Sequence, residues 1–231
     1  MKVIRELDEV IRALTGEDPD ARKAAADELA ALDDDRAREA LVDALNHPAT
    51  DVQINAAEAL GKTGSASVVA PLVATLTDAE RAAPVRQAAA RALGTIAHPQ
   101  SAMDLVSVLP DSNTNVVRAA VRALGEIGAR YEHADLRAYI TGSLLPLLVC
   151  AEPIVAQVAA EALGRLHSER AVPSLIMALS CEEWPVRQAA AKALGEIGAR
   201  AAGPQLAAIA ESDRSSAVRY AARRALERLS H

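Results

Sequence analysis

A ten-residue phrase that keeps returning constrains this chain more than any other feature. It reads Val-Arg-Gln-Ala-Ala-Ala-Arg-Ala-Leu-Gly over 85–94 and Val-Arg-Gln-Ala-Ala-Ala-Lys-Ala-Leu-Gly over 186–195. Looser copies begin at Ala21, Val52, Val116, Val155 and Val218. The leucine ahead of the glycine slot falls at Leu29, Leu60, Leu93, Leu124, Leu163, Leu194 and Leu226. Successive spacings are therefore 31, 33, 31, 39, 31 and 32 residues. A period in that range marks a solenoid, and the copies account for nearly the whole chain. Each repeat in such a stack contacts only its neighbours, so the chain is expected to form one quasi-linear unit.

Composition agrees with stacked helices. Apolar residues make up 51% of the 231 residues, yet aromatics are only 2% and Phe is absent. Ala and Leu dominate; Ala is the best helix former, and its small side chain lets helices approach closely. The formal charge of −6 weighs against a duplex nucleic-acid partner, which rewards a basic face. The amino terminus carries charges every few residues and lacks the apolar stretch of an export signal, and no run approaches the length of a membrane span. A soluble, cytoplasmic protein is expected.

Each repeat reads as two antiparallel helices. Val68, Val69, Leu72, Val73 and Leu76 recur at helical spacing, and Thr77-Asp78 ends that run. Val85, Ala88, Ala89, Ala92, Leu93 and Ile96 form a second stripe. Gly94 either closes this second helix or allows tight packing near its end. First helices are predicted over 2–14, 36–46, 67–78, 100–109, 136–150, 170–180 and 202–212. Second helices are predicted over 18–31, 50–63, 83–96, 114–127, 153–166, 184–197 and 215–229. The corresponding repeats cover 1–33, 34–65, 66–97, 98–128, 129–167, 168–198 and 199–231, within a single domain. The terminal copies depart from the pattern as caps should: Val3, Leu7, Val10, Ile11 and Leu14 form a stripe flanked by charges, and Glu227 replaces the last glycine.

The phrase Val-Arg-x-Ala-Ala-x-x-Ala-Leu-Gly-x-Ile-Gly, with an acidic residue or Pro just before the Val, resembles the HEAT-like repeats. More narrowly it is similar to the short subclass first recognised in phycobilisome lyases, closest at Ala123–Gly128 and Ala193–Gly198. The resemblance covers about residues 1–230. It implies an all-α solenoid, a right-handed superhelix of about seven helix pairs, of bacterial type, whose second helices line a concave face. It also implies that the arginine after the valine (Arg22, Arg86, Arg187 and Arg219) joins an acidic residue at the turn between helices. Gln53, Val117 and Ala156 interrupt that series, and Arg118 is a candidate substitute from one position away.

Positions on the second helices that are free of core duty should form ladders of charge. One slot reads Asp27, Glu58, Arg91, Arg122, Glu161, Lys192 and Arg224. Four residues on, the slot reads Ala31, Lys62, Thr95, Glu126, Arg165, Glu196 and Arg228. Four in-helix pairs follow: Glu58–Lys62, Arg122–Glu126, Glu161–Arg165 and Lys192–Glu196, each worth about 0.2–0.5 kcal/mol. The face is then either solvated and self-neutralising or a mixed-charge groove that selects a partner by complementarity. The candidate partner contacts are Arg91, Arg118, Arg122, Glu161, Lys192, Tyr220 and Arg224. Trp184, at the start of a second helix, joins them as an aromatic edge. The 39-residue spacing adds about eight residues near 129–136, where Tyr131 and His133 are further candidates; a longer first helix or a bulge is the alternative.

No phosphate-binding glycine loop, nucleophile elbow or zinc-binding helix motif occurs, and the five histidines are scattered. No catalytic residue, metal ligand or cofactor site is assigned. Cys150 and Cys181 fall in one slot of adjacent repeats; helices pack about 8–10 Å apart, so two buried unbridged thiols are expected rather than a disulfide. The function expected is non-catalytic: a scaffold or assembly factor, monomeric, that binds a protein partner along its concave face. Two alternatives stay open. One is a phycobilin or tetrapyrrole lyase-like subunit, implied by the resemblance. The other is nucleic-acid binding through Arg219, Arg223, Arg224 and Arg228.

Overall fold

A computed structural model describes residues 6–131, 133–149 and 152–230. Among the described residues there are fourteen α-helices and no strand. The backbone divides into two compact units, Met1–Ala123 and Leu124–His231.

In the first unit the helix pairs are α1 (Leu7–Leu14) with α2 (Pro19–Ala30), α3 (Asp35–Ala44) with α4 (Thr50–Thr63), and α5 (Val69–Thr77) with α6 (Ala83–Ile96). Helix α7 (Ala102–Ser107) follows, and α8 (Thr114–Arg130) carries the unit boundary. The second unit contains α9 (Ala134–Leu144), α10 (Pro153–Arg165), α11 (Val172–Ala178), α12 (Trp184–Ile197), α13 (Gly203–Ser212) and α14 (Ser216–Leu229). Several first helices open on a short 3₁₀ turn, as at Ala66–Val68 and Glu169–Ala171.

Local chemistry explains the ends. Asp34 accepts from the Ala37 N–H at 3.0 Å and caps α3. Pro19 and Pro153 open α2 and α10, where a missing N–H costs nothing. Helices α4 and α12 stop at Gly64 and Gly198, both left-handed at φ 65° and 79°.

The core is thin and built from Ala and Leu. Leu29, Leu60, Leu93, Leu124, Leu163 and Leu194 are all fully buried. Leu226 is half-buried, as suits a helix with one solvated face. Of the amino-terminal stripe, Val10 and Leu14 are buried and Leu7 and Ile11 half-buried, while Val3 lies outside the described residues.

Glycine in the Ala-Leu-Gly slot does not end the helix but lets the next one in. A Cβ on Gly94 would sit 2.9 Å from Ala123 Cα, and one on Gly195 would sit 2.8 Å from Ala225 Cα. Gly61 faces Ala92, Gly125 faces Ala162 and Gly164 faces Ala193 in the same way. Neighbouring second helices are therefore in backbone contact, closer than side-chain packing alone allows.

One open alternative is resolved and one expectation needs correction. Helix extends into the insertion from both sides, α8 running on to Arg130 and α9 starting at Ala134. The Arg137 Nε donates to the Gly128 carbonyl at 2.9 Å and so satisfies one of the end carbonyls of the lengthened α8. Cys181 is buried but disulfide-bonded rather than a free thiol. It lies in the turn after α11, not on a helix, so the distance between helix axes does not limit its reach. Cys150 lies outside the described residues.

Candidate functional site

The second helices carry two sets of charged side chains with different duties. The first set is structural. Arg22 binds Asp51, Arg86 binds Asp111 and Arg187 binds Asp213, each aspartate belonging to the next helix pair. Arg187 forms a two-pronged contact, Nε to Oδ2 at 2.7 Å and Nη2 to Oδ1 at 2.9 Å. Its Nη1 donates to the carbonyls of Cys181 and Glu182 at 2.8 and 2.6 Å. Arg86 repeats the fork on Asp111 at 3.1 and 3.0 Å. Asp111 and Asp213 also each accept a backbone N–H at 2.8 Å, from Asn113 and Ser215 respectively. Among the described residues Arg219 donates to carbonyls alone, Asp213 at 2.7 Å and Arg214 at 3.3 Å.

These contacts set the carboxyl acidities. The Arg22 hydrogen bond holds Asp51 below its ordinary value, and Arg187 does the same for Asp213. Burial pushes the Asp111 carboxyl up, but the hydrogen bonds from Arg86 and the Asn113 N–H, with the Arg86 charge, outweigh it and leave it lowered. Where the arginine is missing, Gln53 Nε2 donates to the His47 carbonyl at 2.8 Å instead. Arg118 does not reach an aspartate; its Nη1 donates to Asn115 Oδ1 at 3.3 Å, and its Nε is buried without a partner.

The second set lies on the exposed side of the same helices, and its pairing corrects the in-helix scheme. Lys62 binds Asp27 at 2.6 Å, Arg91 binds Glu58 at 3.1 Å and Arg165 binds Glu126 at 2.6 Å, each across to the preceding second helix. Of the four expected in-helix pairs Lys192–Glu196 is found, loosely, at 3.9 Å, and Arg224 pairs within its own helix with Glu227 at 2.6 Å. Glu161 accepts from Gln157 Nε2 at 3.0 Å. The glycine-to-alanine contact brings neighbouring helices so close that a side chain one helix away competes with one a turn away.

Of the candidate contacts, Arg122, Lys192, Arg224, Tyr220 and Trp184 are exposed, and Glu161 and Arg118 are half-buried. Lys192, Tyr220 and Arg224 come together, with Gln188 and Arg228, around a concavity of about 210 Å³ between α12 and α14. Its floor is Ala221 and Ala225, both buried. Gln188 was not singled out from the sequence, although it stands four residues from Lys192 on the same helix face, and Arg228 was a candidate there only for the nucleic-acid alternative. Arg91 lines a smaller concavity, of about 130 Å³, with Glu58, Lys62 and Thr95 in the first unit. Trp184, Tyr131 and His133 line neither. A third concavity, apolar and unforeseen, is lined by Leu145, Leu148, Val149, Ser174, Met177 and Ala178. Among the described residues no cluster of three or more His, Cys, Asp or Glu could hold a metal ion, and no helix is long and apolar enough to cross a membrane.

Comparison with known proteins is consistent with this geometry. A family model described as HEAT repeats matches residues 7–83, 80–142 and 141–227. No curated protein matches in sequence. An archaeal HEAT-like repeats protein from Thermococcus onnurineus NA1 superposes with a TM-score of 0.68 at 14% identity, over 99% of this chain and 98% of that one. The complex of CpcE and CpcF of phycocyanin lyase from Nostoc sp. PCC7120 gives 0.59 at 22% identity, over 98% and 96%. An engineered protein gives 0.61 at 23%, over 98% of this chain and 68% of its own.

Proposed function

Since the chain belongs to the HEAT-repeat family, we propose that it is a non-catalytic interaction scaffold that takes a protein partner along the exposed face of its second helices. The observation that carries this reading is the separation of duties just described. The inner arginines are consumed in holding repeat to repeat, while Lys192, Tyr220 and Arg224 converge on an open concavity. Such a face is fixed before binding by stacked helices, so little ordering entropy is lost when a partner docks.

Affinity capture from a lysate of the source organism, with mass spectrometry, tests the reading. A stoichiometric protein should be retained, and Arg122→Ala with Lys192→Ala should weaken its binding and its salt dependence while helicity stays unchanged. Unaltered binding by the double variant overturns the assignment of this face. A second reading, a subunit handling a tetrapyrrole, is favoured by the likeness to the phycocyanin lyase complex over nearly the full length of both chains. An absorbance scan of the same eluate separates the two, since only that reading expects a coloured partner.

A further inference from the structure

We infer that the concavity between α12 and α14 anchors an acidic segment of the partner protein. This rests on the scaffold reading and names the chemistry of what binds. Residues 184–231 hold 8 Lys and Arg against 4 Asp and Glu, a formal +4 in a chain whose total is −6. The excess is displayed rather than neutralised. Lys192 is paired with Glu196 only at 3.9 Å, and among the described residues Arg228 has no ion pair. Arg224 Nη1 binds Glu227 at 2.6 Å, which leaves its other donors free to face the concavity.

The uncharged members suit a peptide. Gln188 can both donate to and accept from a main chain. Tyr220 is 66% exposed, so its ring is open for a side chain to pack against and its hydroxyl for a hydrogen bond. The alanine floor lets a segment lie close to the helix backbones.

Two rival occupants fit less well. A free small anion would meet cations that are all exposed to water, where one ion pair is worth about 1 kcal/mol or less; useful affinity needs several carboxylates on one chain. A nucleic acid needs a continued basic track for its phosphates. Here Glu161 on α10, Glu196 and Glu227 interrupt the positive stretch, and a volume of about 210 Å³ takes one or two side chains.

Fluorescence anisotropy with a short fluorescein-labelled peptide alternating Glu with Leu and Ala tests this. The controls are its Lys-for-Glu counterpart and a single-stranded oligonucleotide. The Glu peptide should bind the full chain, and Lys192→Glu with Arg228→Glu should weaken it about tenfold. Arg170→Glu, an exposed site elsewhere, should not. Circular dichroism confirms folding, and the milder Lys192→Gln with Arg228→Gln should give a smaller loss in the same direction. Equal binding of the Lys peptide, indifference to both double variants, or tighter binding of the oligonucleotide overturns the inference. If the Glu peptide fails to bind while lysate capture still depends on Arg122 and Lys192, the acidic-segment assignment falls and the scaffold reading stands. If capture fails as well, both fall.

Discussion

At Gly195 a single hydrogen atom decides how near two helices come. A methyl group there would lie 2.8 Å from both the Cα and the Cβ of Ala225, and neither belongs to a flexible side chain that could swing away. Gly195→Ala should therefore destabilise the chain by about 1–3 kcal/mol despite the better helix propensity of alanine. Denaturant midpoints would check this, with Gly203→Ala, which meets nothing within 4 Å, as the control. The sequence showed that the slot mattered but left open whether it closed a helix or admitted a neighbour, because one letter serves both purposes. Asp213 is the other decisive residue: its side chain is 5% exposed and that of Arg187 is 14%. Asp51, Asp111 and Asp213 are held below the ordinary value of about 4. Their contribution is complete above that value and is lost as pH falls through the lowered folded-state values. Unfolding midpoints should therefore decline below about pH 4. Asp213→Asn should lower the neutral plateau by about 3 kcal/mol, since it strands a largely buried guanidinium, and should flatten part of the acid decline.

Helix boundaries were legible in the sequence because each apolar stripe has a clear period and stops at Pro, Asp or Gly. Helices α4, α6 and α12 begin and end where the pattern places them. What the pattern could not show is which charge pairs with which. Glu58 lies one turn from Lys62 in sequence, yet its partner is Arg91, 33 residues away. That choice depends on the distance between helices, which glycine sets and periodicity does not report. The lengthened α8 is a second case. Spacing revealed extra residues but not that Arg137 would hold them helical from outside. Arg137→Ala should leave global stability within about 1 kcal/mol but speed amide exchange at the end of α8, including the Tyr131 N–H that bonds to Ile127 at 3.0 Å. Unchanged exchange there would show that the helix end holds itself.

Across the molecule, the family and the all-α solenoid could be read from the phrase because a repeat cannot bury its apolar face alone and must stack. The partner could not be read, because the residues that stack are distinct from those left on the surface. Of the surface set, Lys192, Tyr220 and Arg224 converge while Trp184, Tyr131 and His133 do not join them, a distinction that requires the neighbouring helix to be in place. The disulfide at Cys181 was missed for a related reason: turns obey no spacing rule of the kind that helices do.

Glu227 stands on α14 in the slot that glycine fills on α4, α6, α8, α10 and α12. Any helix laid against α14 in the same manner would meet a carboxylate where its backbone needs an empty place. That carboxylate is expected to act as a stop against a further copy of the chain seating on α14 in this manner. Glu227→Gly should remove the stop, seen as a sedimentation coefficient that rises with protein concentration; a variant that stays the same size would place the stop elsewhere on α14.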